Sequence, residues 1–414
     1  MMTRKCLWAF LGLCFIVFSC NEETEAPIAE DPAAEALIPN QYMVIFKDGA
    51  MTSGRSGEPI FVDRADKISY SEKIAVQVKQ EMATFFKENQ IATAKVSTQY
   101  TSLFSGFVAN LTEDEVAKLE SNPMVDFIQQ DQMMTLDVEV EAVFEEDEFA
   151  GSEGGRIEAQ STTCAIRNAG GFTGGAGKNT RIWIVDTGID LDHPDLNVDR
   201  GLSRSFIDGS ADDSNGHGTH VAGIAAAKNN GFGVVGVSAG AKVVAVDVLG
   251  SGSAPTSIIV QGMDYVAGRD IRGDVVNMSL GPRFRTGCSG NSVYRAALER
   301  LNNQSFIALA AGNSLDDAAF YDPACHNLSR VFTVASMTCG KGFSSLFSNY
   351  GSPVDWIATG KSVRSTYSNG RYATLTGTSM ASPVVAGVLH ARNAAPRRCG
   401  TVSFRGISYP IACR

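Results

Sequence analysis

Five short runs in the second half of this 414-residue chain are apolar at almost every position: Arg181 to Asp186, Lys242 to Val248, Asp274 to Leu280, Ser305 to Ala311 and Val331 to Ser336. A strand with one wet face alternates apolar and polar residues, so runs without that alternation belong to strands covered on both faces. Helices fit between them at about 217–227, 256–268 and 291–302. Strand and helix in alternation predict an α/β fold, an open and mostly parallel sheet with helices on both faces. Reactive groups in such a sheet collect beyond the carboxyl ends of the strands. The residues just past each run are therefore where chemistry is sought.

Four polar residues stand out there. Asp186 ends the run Ile182-Trp183-Ile184-Val185 and is followed by Thr187-Gly188. His217 opens an Ala-rich helix between Gly216 and Gly218, which leave its imidazole room. Asn313 follows Ala310-Ala311-Gly312. Ser379 lies in Gly377-Thr378-Ser379-Met380-Ala381-Ser382-Pro383, where a turn passes into the apolar run Val384 to Leu389. Gly377 permits a tight approach, and Pro383 is placed in the first helical turn, where its missing N–H is no loss. Taken singly, each has a plain structural role: a strand-end turn cap, a helix-start histidine, a turn asparagine, a helix N-cap. Together they suffice for acyl transfer. Ser379 attacks, His217 takes and returns its proton, Asp186 fixes the imidazole tautomer, and the Asn313 amide donates to the oxyanion.

Three stretches, Ile184-Val185-Asp186-Thr187-Gly188-Ile189, Asn215 to Gly223 and Gly377 to Pro383, resemble the three signatures of the subtilisin-like serine proteases, in that family's Asp, His, Ser order. Val248 to Ser253, Gly262 to Val266 and Phe347-Ser348-Asn349-Tyr350-Gly351 are most similar to its proteinase K branch. The resemblance covers roughly residues 165–392, and it implies an endopeptidase of broad specificity that prefers an apolar residue before the cut. It also implies that Gly250-Ser251-Gly252 and Ser279-Leu280-Gly281 are the two edges pairing with an extended substrate, and that Ala310, Ala311 and Gly312 line the pocket for that apolar residue. Where relatives carry an aspartate of a calcium site, this chain has Ala335-Ser336-Met337-Thr338. Asp208, Asp212 and Asp213 are a second calcium candidate, with a solvated acidic loop the preferred reading. No cofactor is expected to be required, calcium being at most a stabilising ion, and no metal ligands are assigned.

Residues 41–135 resemble the family's inhibitory propeptide. A strand at Gln41 to Phe46, a helix at about 71–89, a strand at Phe104 to Leu111, a capped helix from Thr112 and a strand at Val125 to Ile128 make a small α+β unit of βαβαβ-like order. Ahead of it, Arg4 and Lys5 precede the apolar run Leu7 to Phe18, too short to span a bilayer comfortably and hence a signal peptide. Val17-Phe18-Ser19-Cys20 resembles a bacterial lipobox, which implies cleavage before Cys20 and lipidation of its thiol. The expected organisation is a signal peptide at 1–20, a tether at 21–40, the propeptide at 41–135, an acidic linker at 136–163 that holds the maturation cut, and a catalytic domain at 164–414.

Outside the leader remain six cysteines: Cys164, Cys288, Cys325, Cys339, Cys399 and Cys413. An even number in an exported chain suggests disulfides. Proximity favours Cys399 with Cys413 and, less strongly, Cys325 with Cys339. The net charge of −10 is unevenly spread: residues 1–160 carry 12 Lys+Arg against 28 Asp+Glu, and residues 161–414 carry 23 against 17. The halves attract one another, and salt is expected to weaken that attraction. No basic cluster exceeds a pair, which argues against nucleic-acid binding. The expected partners are polypeptide substrates and the chain's own propeptide, with the membrane reached only through a lipid on Cys20, in an exported, monomeric enzyme. Two rival readings are a binding protein on a catalytically dead fold and an esterase with the same triad. Four intact site residues argue against the first, and strand edges built for an extended peptide argue against the second.

Overall fold

The computed structural model describes residues 36–51, 58–136, 139–144, 160–281, 288 and 292–414. The signal peptide, Cys20 and most of the tether lie outside the described residues. Among those described, no helix is long and apolar enough to cross a membrane.

The N-terminal unit runs β1 (Ala36–Phe46), α1 (Arg64–Glu88), β2 (Val96–Tyr100), β3 (Gly106–Asn110), α2 (Glu113–Glu120) and β4 (Val125–Thr135). Its order is thus β-α-β-β-α-β, with one strand more than the sequence suggests. β2 escapes notice because its residues Val96-Ser97-Thr98-Gln99-Tyr100 are mostly polar and only Tyr100 is buried. Asp63 caps α1, accepting from the N–H groups of Ala65 and Asp66. Thr112 and Glu115 form a reciprocal capping box on α2.

Side chains along these strands alternate between two cores. Val44, Phe46, Phe107 and Ala109 face α1 and α2. Met43, Ile45, Tyr100, Val108 and Met134 face the catalytic half, where they join Ile259, Met263 and Leu298. Because the side-chain period of a strand is two, a one-residue slip would exchange the faces. The second face is apolar because another domain covers it.

After β5 (Glu139–Phe144), the catalytic half runs α3 (Cys164–Asn168), β6 (Ile182–Asp186), α4 (His217–Ala226), β7 (Lys242–Asp247), β8 (Ser253–Pro255), α5 (Thr256–Ala267), β9 (Val275–Met278), α6 (Val293–Leu301), β10 (Phe306–Ala310), β11 (Val331–Met337) and β12 (Val354–Thr359). It ends with the hairpin β13 (Val363–Thr366) and β14 (Tyr372–Thr376), α7 (Thr378–Arg392), and the hairpin β15 (Arg397–Phe404) and β16 (Ile407–Cys413). The main sheet has the order β15-β16-β12-β11-β10-β9-β6-β7, with two short strands, Asn197–Val198 and Arg204–Ser205, on the far side of β7. Every pair from β7 to β12 is parallel. All five expected apolar runs are central strands here. β6 and β10 are each buried at all five positions.

The C-terminal hairpin is closed by Cys399–Cys413. The other two disulfides are Cys164–Cys339 and Cys288–Cys325, so Cys325 does not pair with Cys339. Spacing along the chain misleads because the long loops around Cys325 and Cys339 bring distant segments together. Residues 139–144, assigned by sequence to a linker, form a strand that adds to β14 in the order β13-β14-β5. Its alternation of Val140, Ala142 and Phe144 with Glu139 and Glu141 is too short to stand out in an acidic stretch.

Candidate active site

Asp186 ends β6 with its carboxylate fully buried. Its Oδ1 lies 2.6 Å from His217 Nδ1 and also accepts from the Thr187 N–H at 2.8 Å. His217 is the first residue of α4, capped by Gly216 at φ 103°, a left-handed conformation that favours glycine. Gly218 answers a different constraint, since a Cβ there would lie 2.1 Å from the Gly188 carbonyl oxygen. Asp213 braces this turn from beneath. Its carboxylate accepts from the N–H groups of Asn215, Gly216 and Thr219 and from the hydroxyls of Thr187 and Thr219. Burial pushes its pKa up.

Burial alone would lower the pKa of His217, but the charge and hydrogen bond of Asp186 outweigh it and hold the imidazole above its ordinary 6.5. One turn on, His220 is buried and pushed down to about 3, chiefly by desolvation. It lies 3.1 Å from the Ala373 carbonyl and is neutral, a structural histidine one turn from His217.

Ser379 is the second residue of α7, whose N-cap is Gly377. Its Oγ donates to the Ser279 carbonyl at 3.3 Å, while His217 Nε2 is buried without a hydrogen-bond partner. The proline expected in the first turn instead occupies the sixth helical position. A proline there removes the N–H that would reach the carbonyl four residues back, which is that of Ser379. Ser279 Oγ replaces it, donating to the Ser379 carbonyl at 2.9 Å. Asn277 Nδ2 in turn donates to Ser279 Oγ at 2.9 Å.

Asn313 accepts through Oδ1 from the Thr378 N–H at 2.8 Å and the Thr378 hydroxyl at 2.9 Å. Two donors on one atom fix which end of the amide is oxygen. Nδ2 lies 3.3 Å from where a Gly377 side chain would begin, so the glycine leaves that amide group uncrowded.

A cleft beside Ser379 and Asn313 is lined by Ser279, Leu280, Gly281, Ala310 and Gly312. Ala311 is not among its lining residues and packs in the core with Ala335, Met337 and Ile357. Sequence reasoning missed Tyr321 and Asp322, which also line the cleft from the loop before Pro323. That loop carries no periodic signal; its one local mark is the Asp-Pro step, which is cis here.

The other wall, near Gly250, Ser251 and Gly252, is occupied by the chain itself. The Leu136 N–H donates to the Gly252 carbonyl at 2.9 Å, and Thr135, Met134 and Met133 pair antiparallel with Ser253, Ala254 and Pro255. The edge actually paired thus extends three residues beyond the one inferred. Leu136 lines both the cleft holding Ser379 and an adjoining one holding His217. Three residues later the chain is on β14, with Glu139 opposite Thr376. It is thus paired beside β8 up to Leu136 and with β14 from Glu139 on.

Further contacts clamp the N-terminal unit. Asp131 accepts from the Ser257 N–H at 3.0 Å, serving as the cap that Pro255 cannot supply to α5. Asp264 accepts from the N–H groups of Ser102 and Leu103 at 2.7 and 2.8 Å, and from that of Thr101. Arg64 pairs with Asp274 at 2.8 Å, Lys67 lies 3.9 Å from Asp270, and Glu58 contacts Arg300.

In the stretch Ala335-Ser336-Met337-Thr338 the first three side chains are fully buried. Asp208 and Asp212 accept from the N–H groups of Ser210 and Leu191, and the two do not gather with Asp213 around one point. Among the described residues the one group of metal-type ligands is Cys288, Asp322, Cys325 and His326, two of which form a disulfide.

Residues 177–397 match the model of the subtilase family, and residues 41–137 match that of peptidase inhibitor I9. The cuticle-degrading protease of Metarhizium anisopliae is 35% identical over 348 residues, covering 81% of this chain and 84% of that one. The extracellular serine proteinase of Thermus sp. strain Rt41A is 30% identical over 398 residues, covering 93% and 89%. Proteinase R of Parengyodontium album is 31% identical over 340 residues, covering 80% and 81%. The chain therefore belongs to the subtilase family, as a serine endopeptidase that carries an I9-type inhibitor segment ahead of its protease domain.

Proposed function

We propose that Ser379, His217, Asp186 and Asn313 carry out peptide-bond hydrolysis, and that the enzyme is made as a precursor holding its own chain across them. The observation that carries this reading is that Leu136, held at the Gly252 carbonyl beside β8, lines the cleft that contains Ser379, and that the same chain is paired with β14 from Glu139 on.

The mechanism follows from the donors and acceptors available. Ser379 Oγ turns from the Ser279 carbonyl to His217 Nε2, which is unprotonated when Nδ1–H is held by Asp186. As Oγ bonds to the substrate carbonyl carbon, its proton passes to Nε2. The carbonyl π electrons move to oxygen, where Asn313 Nδ2 and the Ser379 N–H receive the charge. Collapse expels the amine, which takes the proton from Nε2, and water then repeats the sequence to release the acid. Turning Oγ away from Ser279 also frees that carbonyl for the N–H of an extended substrate lying between Ser279-Leu280-Gly281 and Gly250-Ser251-Gly252.

The cleft formed by Leu280, Gly281, Ala310 and Gly312 favours an apolar side chain before the cut. We assign the first self-cleavage to a bond between Leu136 and Glu139, with the N-terminal unit as intramolecular inhibitor until it is degraded. The protein is exported, and the cut separates the protease from Cys20 and any lipid there. No step needs a metal; a calcium contribution would be to stability and would appear as a Tm shift on chelation. Casein hydrolysis, sulfonyl fluoride labelling at Ser379 and a comparison of casein with a short-chain ester test the reading. Ester turnover without casein turnover would replace it with the esterase.

A further inference from the structure

β14 ends three residues before Ser379, and one of its edges is taken by β13. The other edge pairs with β5 in an antiparallel register running from Glu139 opposite Thr376 to Phe144 opposite Tyr372. β5 follows Leu136 in the chain, so it lies on the leaving-group side of any bond cut between Leu136 and Glu139. Two of its side chains are gripped. The ladder shifts register between Thr374 and Leu375, and Glu141 falls at that shift. Its carboxylate accepts from the Ser362 hydroxyl at 3.0 Å and from the Thr376 hydroxyl. Thr376 Oγ1 can give its proton to Glu141 because it also accepts from the Ser362 N–H at 2.7 Å. Three residues on, the ring of Phe144 lies 5.4 Å from the Arg364 guanidinium carbon, in cation–π range. Val140 and Val143, by contrast, are half exposed. A linker needs neither a bulge that aims a carboxylate at two hydroxyls nor an aromatic seat.

We propose that this edge of β14 is an extended subsite for the leaving-group side of the substrate. It takes a polypeptide that stays extended beyond the cut and presents a carboxylate followed, three residues later, by an aromatic ring. Ser362 and Thr376 read the carboxylate, Arg364 reads the ring, and the chain's own residues 139–144 are the first occupant. The backbone ladder supplies binding without regard to sequence, and the two gripped positions supply selection. This inference rests on the endopeptidase reading given above.

The test uses enzyme matured from the full chain and shown by N-terminal sequencing to begin after Phe144. Three substrates are compared: a quenched fluorescent peptide of residues 131–144, the same peptide with Glu141→Gln and Phe144→Ala, and a p-nitroanilide, which has no residues beyond the cut. The native peptide is expected to exceed its substituted form in kcat/KM by roughly tenfold, the scale of one charged hydrogen bond. In the Ser362→Ala and Arg364→Ala enzymes that ratio should shrink, while p-nitroanilide turnover remains. Equal rates on both peptides in wild-type enzyme that turns over the p-nitroanilide would overturn the subsite and leave the endopeptidase standing. No turnover of any of the three would overturn both.

Discussion

Ser279 and Ser379 exchange hydrogen bonds in both directions: Ser379 Oγ donates to the Ser279 carbonyl at 3.3 Å, and Ser279 Oγ donates to the Ser379 carbonyl at 2.9 Å. The second bond repairs the gap that Pro383 leaves in α7. The first holds the nucleophile on a carbonyl that an extended substrate would claim, and His217 Nε2 is left without a partner. In the mechanism proposed above, substrate entry and nucleophile activation are thereby coupled. Occupying the Ser279 carbonyl releases the hydroxyl to its base.

Replacing Ser379 or His217 by alanine should abolish casein turnover, with a loss of about six orders of magnitude in kcat by analogy with subtilisin, whose measured loss this is. A sulfonyl fluoride should label wild type at Ser379 and leave the Ser379→Ala protein unmodified. Unchanged hydrolysis by either variant would remove the residue from the mechanism.

Asn313 braces Thr378 and, in the proposed mechanism, donates to the oxyanion, and two substitutions separate these jobs. Asn313→Leu removes the donor to the oxyanion and the acceptor for Thr378 together. Asn313→Asp keeps an oxygen for the Thr378 N–H and hydroxyl but loses the donor. Both should lower kcat by roughly 10²–10³-fold with KM nearly unchanged, a size again taken from subtilisin. A near-normal kcat in Asn313→Asp would show that bracing Thr378 is the whole contribution.

The acid limb of kcat/KM should lie above pH 6.5. Only neutral His217 accepts a proton, and Asp186 holds its pKa above the ordinary value despite burial, so activity is lost as pH falls through that raised value. Asp186→Asn removes the attraction and should shift the limb to lower pH. It should also cut kcat by about 10⁴-fold, because the amide no longer fixes the tautomer. A limb that stays in place in Asp186→Asn would assign the titration to another group.

Much of this site was legible because its residues sit at places a sequence marks. Asp186 ends a strand apolar at every position, His217 starts a helix between glycines, and Ser379 follows a turn glycine. What could not be read depends on residues that meet only in space. Pro383 looks like a helix start until its position in α7 is known. Ala311 sits between two cleft residues, yet it packs in the core. The pairing of Cys164 with Cys339 spans 175 residues. Residues 139–144 read as acidic linker because their partner edge on β14 is more than two hundred residues away.

The same limit governs the interface charges. The N-terminal half is acidic and the catalytic half basic, but the buried contacts include Arg64 with Asp274 and Lys67 near Asp270, cations of the acidic half on anions of the basic one. Their side chains are at most 12% exposed, and buried pairs are screened far less than surface ones. Inhibition by the excised propeptide should therefore change by less than about threefold between low and high salt. Asp264→Ala should weaken it much more, since three N–H groups from Thr101 to Leu103 lose their acceptor. A strong salt dependence with an unaffected Asp264→Ala would return the affinity to net charge.

The last prediction concerns where the chain first cuts itself. Leu136 is held at the Gly252 carbonyl on one side of the site, and Glu139 is paired with Thr376 on the other. Three residues of extended chain span at most about 11 Å, so the two anchors lie no farther apart than that. The self-cleavage proposed above therefore falls between them, whereas a cut further along would require β5 to leave β14. The first new N-terminus of wild type expressed in a protease-deficient host should therefore be residue 137, 138 or 139, with later trimming toward residue 160. The Ser379→Ala chain should accumulate uncut, with the N-terminal unit still attached. Removing the Leu136 anchor by substituting Leu136→Pro, which lacks the N–H given to Gly252, should slow the first cut without abolishing casein turnover by whatever enzyme matures. A first N-terminus beyond Phe144 would place the cut outside this passage, and normal processing of the Ser379→Ala chain would assign it to another protease.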